Sequence, residues 1–141
     1  MDIPKTKQSV AFRFRAETLE RLRQRAQDTH MPQTTLAERY IEEGIRHDEH
    51  PLIYFREGAA GRRPALFGTR LDVAQVITTI RQNGNSVEEV AKLLEIPAAH
   101  VDACVRYYAD HKDEIDTWIE RVTALAERER ARWQRQQQAL G

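Results

Sequence analysis

SVAFRFRAE, residues 9–17, alternates two kinds of side chain: Val10, Phe12 and Phe14 take every second place, and Ala11, Arg13 and Arg15 stand between them. Successive side chains of a strand point to opposite faces. The stretch therefore predicts a strand with one aromatic face and one small, cationic face. A strand also needs a hydrogen-bonded partner, and the sequence directly behind this one is helical.

The next segment, ETLERLRQRAQ, places Leu19, Leu22 and Ala26 at helical spacing, with Arg21, Arg23 and Arg25 on other faces. DTHMPQTT interrupts, because Pro32 suits only the first turn of a helix. A second helix follows in TTLAERYIEEGI, with Leu36, Tyr40, Ile41 and Ile45 on one side. A strand-helix-helix unit of about 37 residues is too small to bury a sizeable core alone. Two copies solve the problem together. Their strands pair as an antiparallel ribbon, and four helices cover the Val10/Phe12/Phe14 face. Ala11, Arg13 and Arg15 then project twice from the other face. The DNA major groove admits a two-stranded ribbon, arginine can donate two bonds to guanine, and a small residue can meet a thymine methyl. An ordinary amphipathic edge strand with surface arginines shows the same alternation.

Residues 9–46 resemble the ribbon-helix-helix family of dimeric DNA-binding proteins, through VAFRFR, LERLRQRAQ and HMPQTTLAERYIEEG. The resemblance implies base reading by Ala11, Arg13 and Arg15. It implies a phosphate grip by backbone N–H groups near Gln33 and Thr34, where a helix N-terminus favours an anion. The chain departs from the family at the turn, where His30 stands in place of the usual Gly and Pro32 in place of Ser or Thr.

Charge is spread unevenly along the 141 residues, although the total is zero. Residues 1–47 carry nine Lys/Arg against seven Asp/Glu, residues 48–120 eight against thirteen, and residues 121–141 five against two. A neutral total does not exclude nucleic acid, since a local basic face suffices to bind phosphate. No run of about 18 apolar residues exists, so no membrane span is expected. The opening residues lack the apolar core of a secretory signal. The one cysteine, Cys104, excludes an internal disulfide framework and fits a cytoplasmic location.

Beyond the second helix, RHDEHP reads as a polar linker, LIYF as a short buried strand, and REGAAGRRPALFGTRL as a loop around another extended piece. Asp72 with Gln75, and Ser86 with Glu89, have capping-box spacing, and Gly84 is a stop signal between two helices. Pro97 begins a third helix, expected to be long. Val101, Tyr108, Ile115 and Val122 stand seven apart, with Cys104, His111, Trp118 and Leu125 between them, giving a heptad stripe. GRRPALFGTRLDVAQVI and GNSVEEVAKLLEIPAAHVDACVRYYADHKDEID resemble domain-of-unknown-function family 433. Gly61, Pro64, Gly68, Thr69, Arg70 and the pair Tyr107–Tyr108 carry the match over about residues 51–119. The same segment has helix-turn-helix spacing. The would-be reading helix has no cation before Arg106, so folding and dimerisation suit it better than groove reading. Arg62, Arg63 and Arg70 are the exception, and contact with phosphate, a partner or solvent is open to each.

The two resemblances together imply a VapB-type antitoxin, in which a C-terminal segment blocks a PIN-like ribonuclease toxin. Such a nuclease holds its metal with clustered carboxylates, which a cationic segment complements. Arg128, Arg130, Arg132, Trp133 and Arg135 are the toxin-binding candidates, since Trp and Arg are enriched at binding hot spots. A solvated, frayed helix end is the plain alternative.

No phosphate loop or nucleophile elbow occurs, so no catalytic residue and no enzyme activity are expected. His47 and His50 alone supply too few ligands for a metal. The acids of DHKDEID read as an exposed face, Cys104 reads as a core residue, and no cofactor is expected. The expected fold is mostly α. It comprises a ribbon-helix-helix domain (1–47), a small helical domain with helix-turn-helix character and a short β-element (48–120), and a basic helical tail (121–141). The expected function is that of a homodimeric antitoxin of a type II toxin-antitoxin system, repressing its own operator DNA and neutralising a PIN-like ribonuclease. A stand-alone ribbon-helix-helix repressor is the alternative, and a dimerising scaffold the third reading.

Overall fold

The computed structural model describes residues 5–141, so the part of the leader expectation that falls on residues 1–4 lies outside them. The chain is mostly helical, with one small sheet. In order it forms α1 (Ala16–Asp28), α2 (Gln33–Glu49), β1 (Ile53–Arg56), β2 (Arg63–Leu66), α3 (Val73–Gln82), α4 (Val87–Leu94), α5 (Ala98–Asp110) and α6 (Lys112–Leu140). It divides into two compact units, one up to Glu42 and one from Glu43 to Gly141. Among the described residues no helix is long and apolar enough to cross a membrane.

The first unit departs from expectation at the strand. Residues 7–15 belong to no strand or helix, and α1 begins at Ala16, before the SVAFRFRAE stretch has ended. One chain contains only one copy of the segment, so the ladder of a two-stranded ribbon has no second side. Both helices of the unit are present. Pro32 precedes α2 and accepts its first bond through the carbonyl, from Leu36 N–H at 3.0 Å. His30 has φ 54°, a left-handed conformation. The departure from glycine therefore changes the residue while the turn keeps the backbone angle that glycine tolerates best.

α2 runs on to Glu49, so residues 46–49 are helix and not the expected linker. Side-chain ties explain this. Arg46 donates to Glu114 at 2.6 Å and to Tyr107 at 2.9 Å, and His47 Nδ1 lies 3.0 Å from the Ile53 carbonyl. These ties hold the start of the segment against the second unit, where helix satisfies its backbone.

In the second unit β1 and β2 pair antiparallel, with Ile53 opposite Leu66 and Phe55 opposite Pro64. Gly58 and Gly61 exchange two backbone bonds in the connecting loop. Gly61 has φ 124°, a backbone conformation that favours glycine, whereas a Cβ on Gly58 would meet only the mobile end of the Arg63 side chain. After β2, the Thr69 hydroxyl donates to the Leu66 carbonyl at 2.8 Å and accepts from Leu71 N–H at 3.0 Å. The GTRL segment is thus a turn that ends the hairpin and launches α3.

The capping box on α3 is complete: Asp72 accepts from Gln75 N–H and the Gln75 side chain accepts from Asp72 N–H. Ser86 caps α4 through Glu89 N–H, one half of the expected pair. α3 packs against α4, α5, α6 and β2. Its buried Val73, Val76, Ile77 and Ile80 meet a core that includes Ile53, Leu66, Val90, Val101, Cys104, Tyr107 and Ile115. Truncating a wholly buried Leu such as Leu66 to Ala costs about 2–5 kcal/mol.

The expected single long helix is two. α5 ends at Asp110 and α6 begins at Lys112, with His111 at φ −132°, ψ 42° between them. A straight helix would carry the stripe from Val101 to Leu125 away from α3. The break lets both pieces pack on α3, and Asp113 and Glu114 gain the favourable N-terminal position of α6.

Candidate nucleic-acid and partner-binding surfaces

Ala11, Arg13 and Arg15 are exposed, as are the neighbouring Val10 (72%), Phe12 (62%) and Phe14 (49%). Such exposure of two aromatic rings in succession is unusual for a lone chain. The first unit explains it. Ala26 and Leu36 are its only buried hydrophobic residues among those described, a core of two side chains. Beside them an open groove of about 470 Å³ runs between α1 and α2, lined by Phe14, Leu19, Leu22, Tyr40 and Ile41. The apolar face identified in the sequence is therefore present but uncovered.

Gln33 and Thr34 open α2 and are exposed. The first N–H groups of a helix have no partner within it, so this end presents donors outward. Gln33 and Thr34 thus stand at the N-terminus of α2, and Arg13 and Arg15 are exposed.

Arg128, Arg130, Arg132, Trp133 and Arg135 all lie on α6 with exposed side chains. At about 100° per residue they do not form one face. Arg128, Arg132 and Arg135 share one flank and Arg130 lies across the helix. Trp133 lies between these flanks on a stripe with Ile115, Val122, Ala126 and Leu140. Ile115 is fully buried, whereas Val122 is 39%, Trp133 59% and Leu140 86% exposed. The stripe that packs into the core at the start of α6 continues uncovered along its end.

Two of the three loop arginines are spent inside the second unit. Arg62 holds Glu43 with bonds of 2.5 and 2.7 Å, and Arg63 holds Asp72 at 3.1 Å. Arg70 is exposed. The acids of DHKDEID are fasteners and not a bare solvent face. Asp116 accepts from Lys112, Arg81 and Tyr108, Glu114 from Arg46, and Asp110 Oδ2 lies 2.9 Å from His50 Nε2. Burial raises the Tyr107 phenol above its ordinary range, and the nearby Glu114 carboxylate adds to this. Cys104 is fully buried, which pushes its thiol up to about 12. α5 carries His100 and Asp102 in its first turns and no cation before Arg106.

Sequence reasoning missed the meeting of His50 with Asp110 and of Arg46 with Glu114. These pairs are separated by 60 and 68 residues, and no local spacing signals them. No family model, curated protein or solved structure matches the chain.

Proposed function

We propose that the protein is the antitoxin of a type II toxin-antitoxin pair, with DNA binding at its N-terminal end and toxin neutralisation at its C-terminal helix. The observation that carries this reading is the uncovered apolar surface of the first unit. Val10, Phe12 and Phe14 and the α1–α2 groove stand in water beside Ala11, Arg13 and Arg15. A second copy supplies both the missing strand partner and the missing cover. In that dimer four guanidinium groups share one surface, and the open ends of the two α2 helices grip phosphates near Gln33 and Thr34. At the other end, the exposed Trp133 stripe flanked by arginines suits a carboxylate-rich nuclease site.

Gel shifts of the full chain with operator-length DNA at several salt concentrations test the first half. Binding that weakens steeply with salt is expected, together with a dimer in sedimentation that Phe14→Asp converts to monomer. Co-expression with a PIN-like ribonuclease encoded beside it tests the second half, and loss of the nuclease activity is expected. DNA binding with no effect on the nuclease leaves a stand-alone repressor. Failure of both sinks the proposal.

A further inference from the structure

Two helix C-termini meet in the second unit. α2 ends at Glu49 and α5 ends at Asp110, with His50 the first residue beyond α2. The last carbonyls of a helix carry partial negative charge, so paired C-termini favour a cation. Ligand-capable atoms of Glu49, His50 and Asp110 all lie within 4.8 Å of one another. His50 Nε2 and Asp110 Oδ2 are 2.9 Å apart. Two donors bound to one ion at about 2.0–2.2 Å stand about 3 Å from each other, so this spacing already suits a shared metal.

The histidine is held in place beforehand. Its side chain is 7% exposed, and its ring packs edge-on against Tyr107 with centroids 5.1 Å apart. The two carboxylates are exposed. Among the described residues neither forms an ion pair with a Lys or Arg. A cleft of about 340 Å³ opens beside Glu49 and His50 and gives access from solvent; Asp102 and Arg106 also line it.

We propose that Glu49, His50 and Asp110 bind one divalent transition-metal ion of the zinc type, through an imidazole nitrogen and two carboxylate oxygens. Imidazole suits zinc, cobalt, nickel and copper, whereas calcium and magnesium take oxygen ligands. Water fills the remaining positions. The ion ties the end of α2 to the end of α5, so its effect is to stabilise the second unit. The inference is independent of DNA and toxin binding.

The test uses the full chain, stripped with chelator and titrated with zinc by calorimetry, with thermal melting alongside. One ion per chain is expected, together with a rise in melting temperature that magnesium does not produce. Asp110→Asn and Glu49→Gln change exposed carboxylates, and each is expected to weaken zinc binding tenfold or more. The melt of each metal-free variant reports that it has folded. His30→Gln, in the first unit, is expected to bind as the parent does. Absence of saturable binding at one ion per chain overturns the proposal, as does an affinity within twofold of the parent in both carboxylate variants.

Discussion

Arg62 closes a two-pronged ion pair on Glu43, with Nε donating to Oε2 at 2.5 Å and Nη2 to Oε1 at 2.7 Å. Its Nη1 reaches Glu57 at 3.3 Å. The two main partners are 28% and 18% exposed, so the pair is screened less than a surface bridge. It binds the hairpin loop to the α2 residues of the second unit. Arg62→Ala is expected to cost about 1.5–3 kcal/mol in urea unfolding. Arg62→Lys should recover only part, because an ammonium group cannot reproduce the fork. A lysine variant as stable as the parent would show that the fork contributes nothing.

Arg13→Ala or Arg15→Ala is expected to lose about 1–3 kcal/mol of discrimination at one base pair, measured by competition gel shifts with altered operators. Toxin binding should survive. Equal loss of both activities would instead indicate misfolding.

Trp133→Ala should weaken toxin binding by at least about 2 kcal/mol, as for a central aromatic anchor. DNA binding should be unchanged. Trp133 is 59% exposed in the single chain, so its removal leaves the melting temperature of the free protein nearly unaltered. A variant that neutralises the toxin as well as the parent would remove α6 from the interface. Without the toxin, limited proteolysis is expected to cut within residues 121–141 first.

Asp116 contributes to stability in a pH-dependent way. Bonds from Lys112, Arg81 and Tyr108 hold its carboxyl well below the usual carboxylate range. The unfolded chain therefore takes up the proton first as pH falls. The stabilisation is complete above the unfolded value of about 4 and drains away at lower pH. Asp116→Asn should melt below the parent at pH 6, with the difference shrinking toward pH of about 2. A constant difference across that range would contradict the assignment.

Cys104 should be inert in the native protein. Its side chain is fully buried and its thiol is pushed up to about 12, so almost no thiolate exists at pH 8. Thiol reagents are expected to label it only as fast as the chain opens. Rapid labelling of folded protein would place the cysteine at the surface.

Much of the chain was legible because local chemistry settles local structure. The Asp72–Gln75 cap, the Gly84 stop and the helical spacing of Val73, Val76, Ile77 and Ile80 all act within a few residues, and each appears where it was read. The misreadings have one cause. RHDEHP looks like a linker and DHKDEID like a solvent face until partners 60 residues away are known. Arg46, Asp110 and Glu114 are fasteners only because the fold brings those partners near, and Asp116 gains Arg81 from 35 residues away in the same manner. The heptad stripe predicted one helix, since periodicity does not reveal that α3 sits where both halves must reach it.

By itself, then, the sequence determined the core of most helices, their caps and which of their faces are apolar. Those properties follow from backbone preference and side-chain period, which operate over one or two turns. Only the tertiary structure decided that His111 breaks a helix and that Arg62 and Arg63 are consumed internally. It alone placed His50 against Asp110, because distant side chains meet only after apolar burial has packed the helices that carry them.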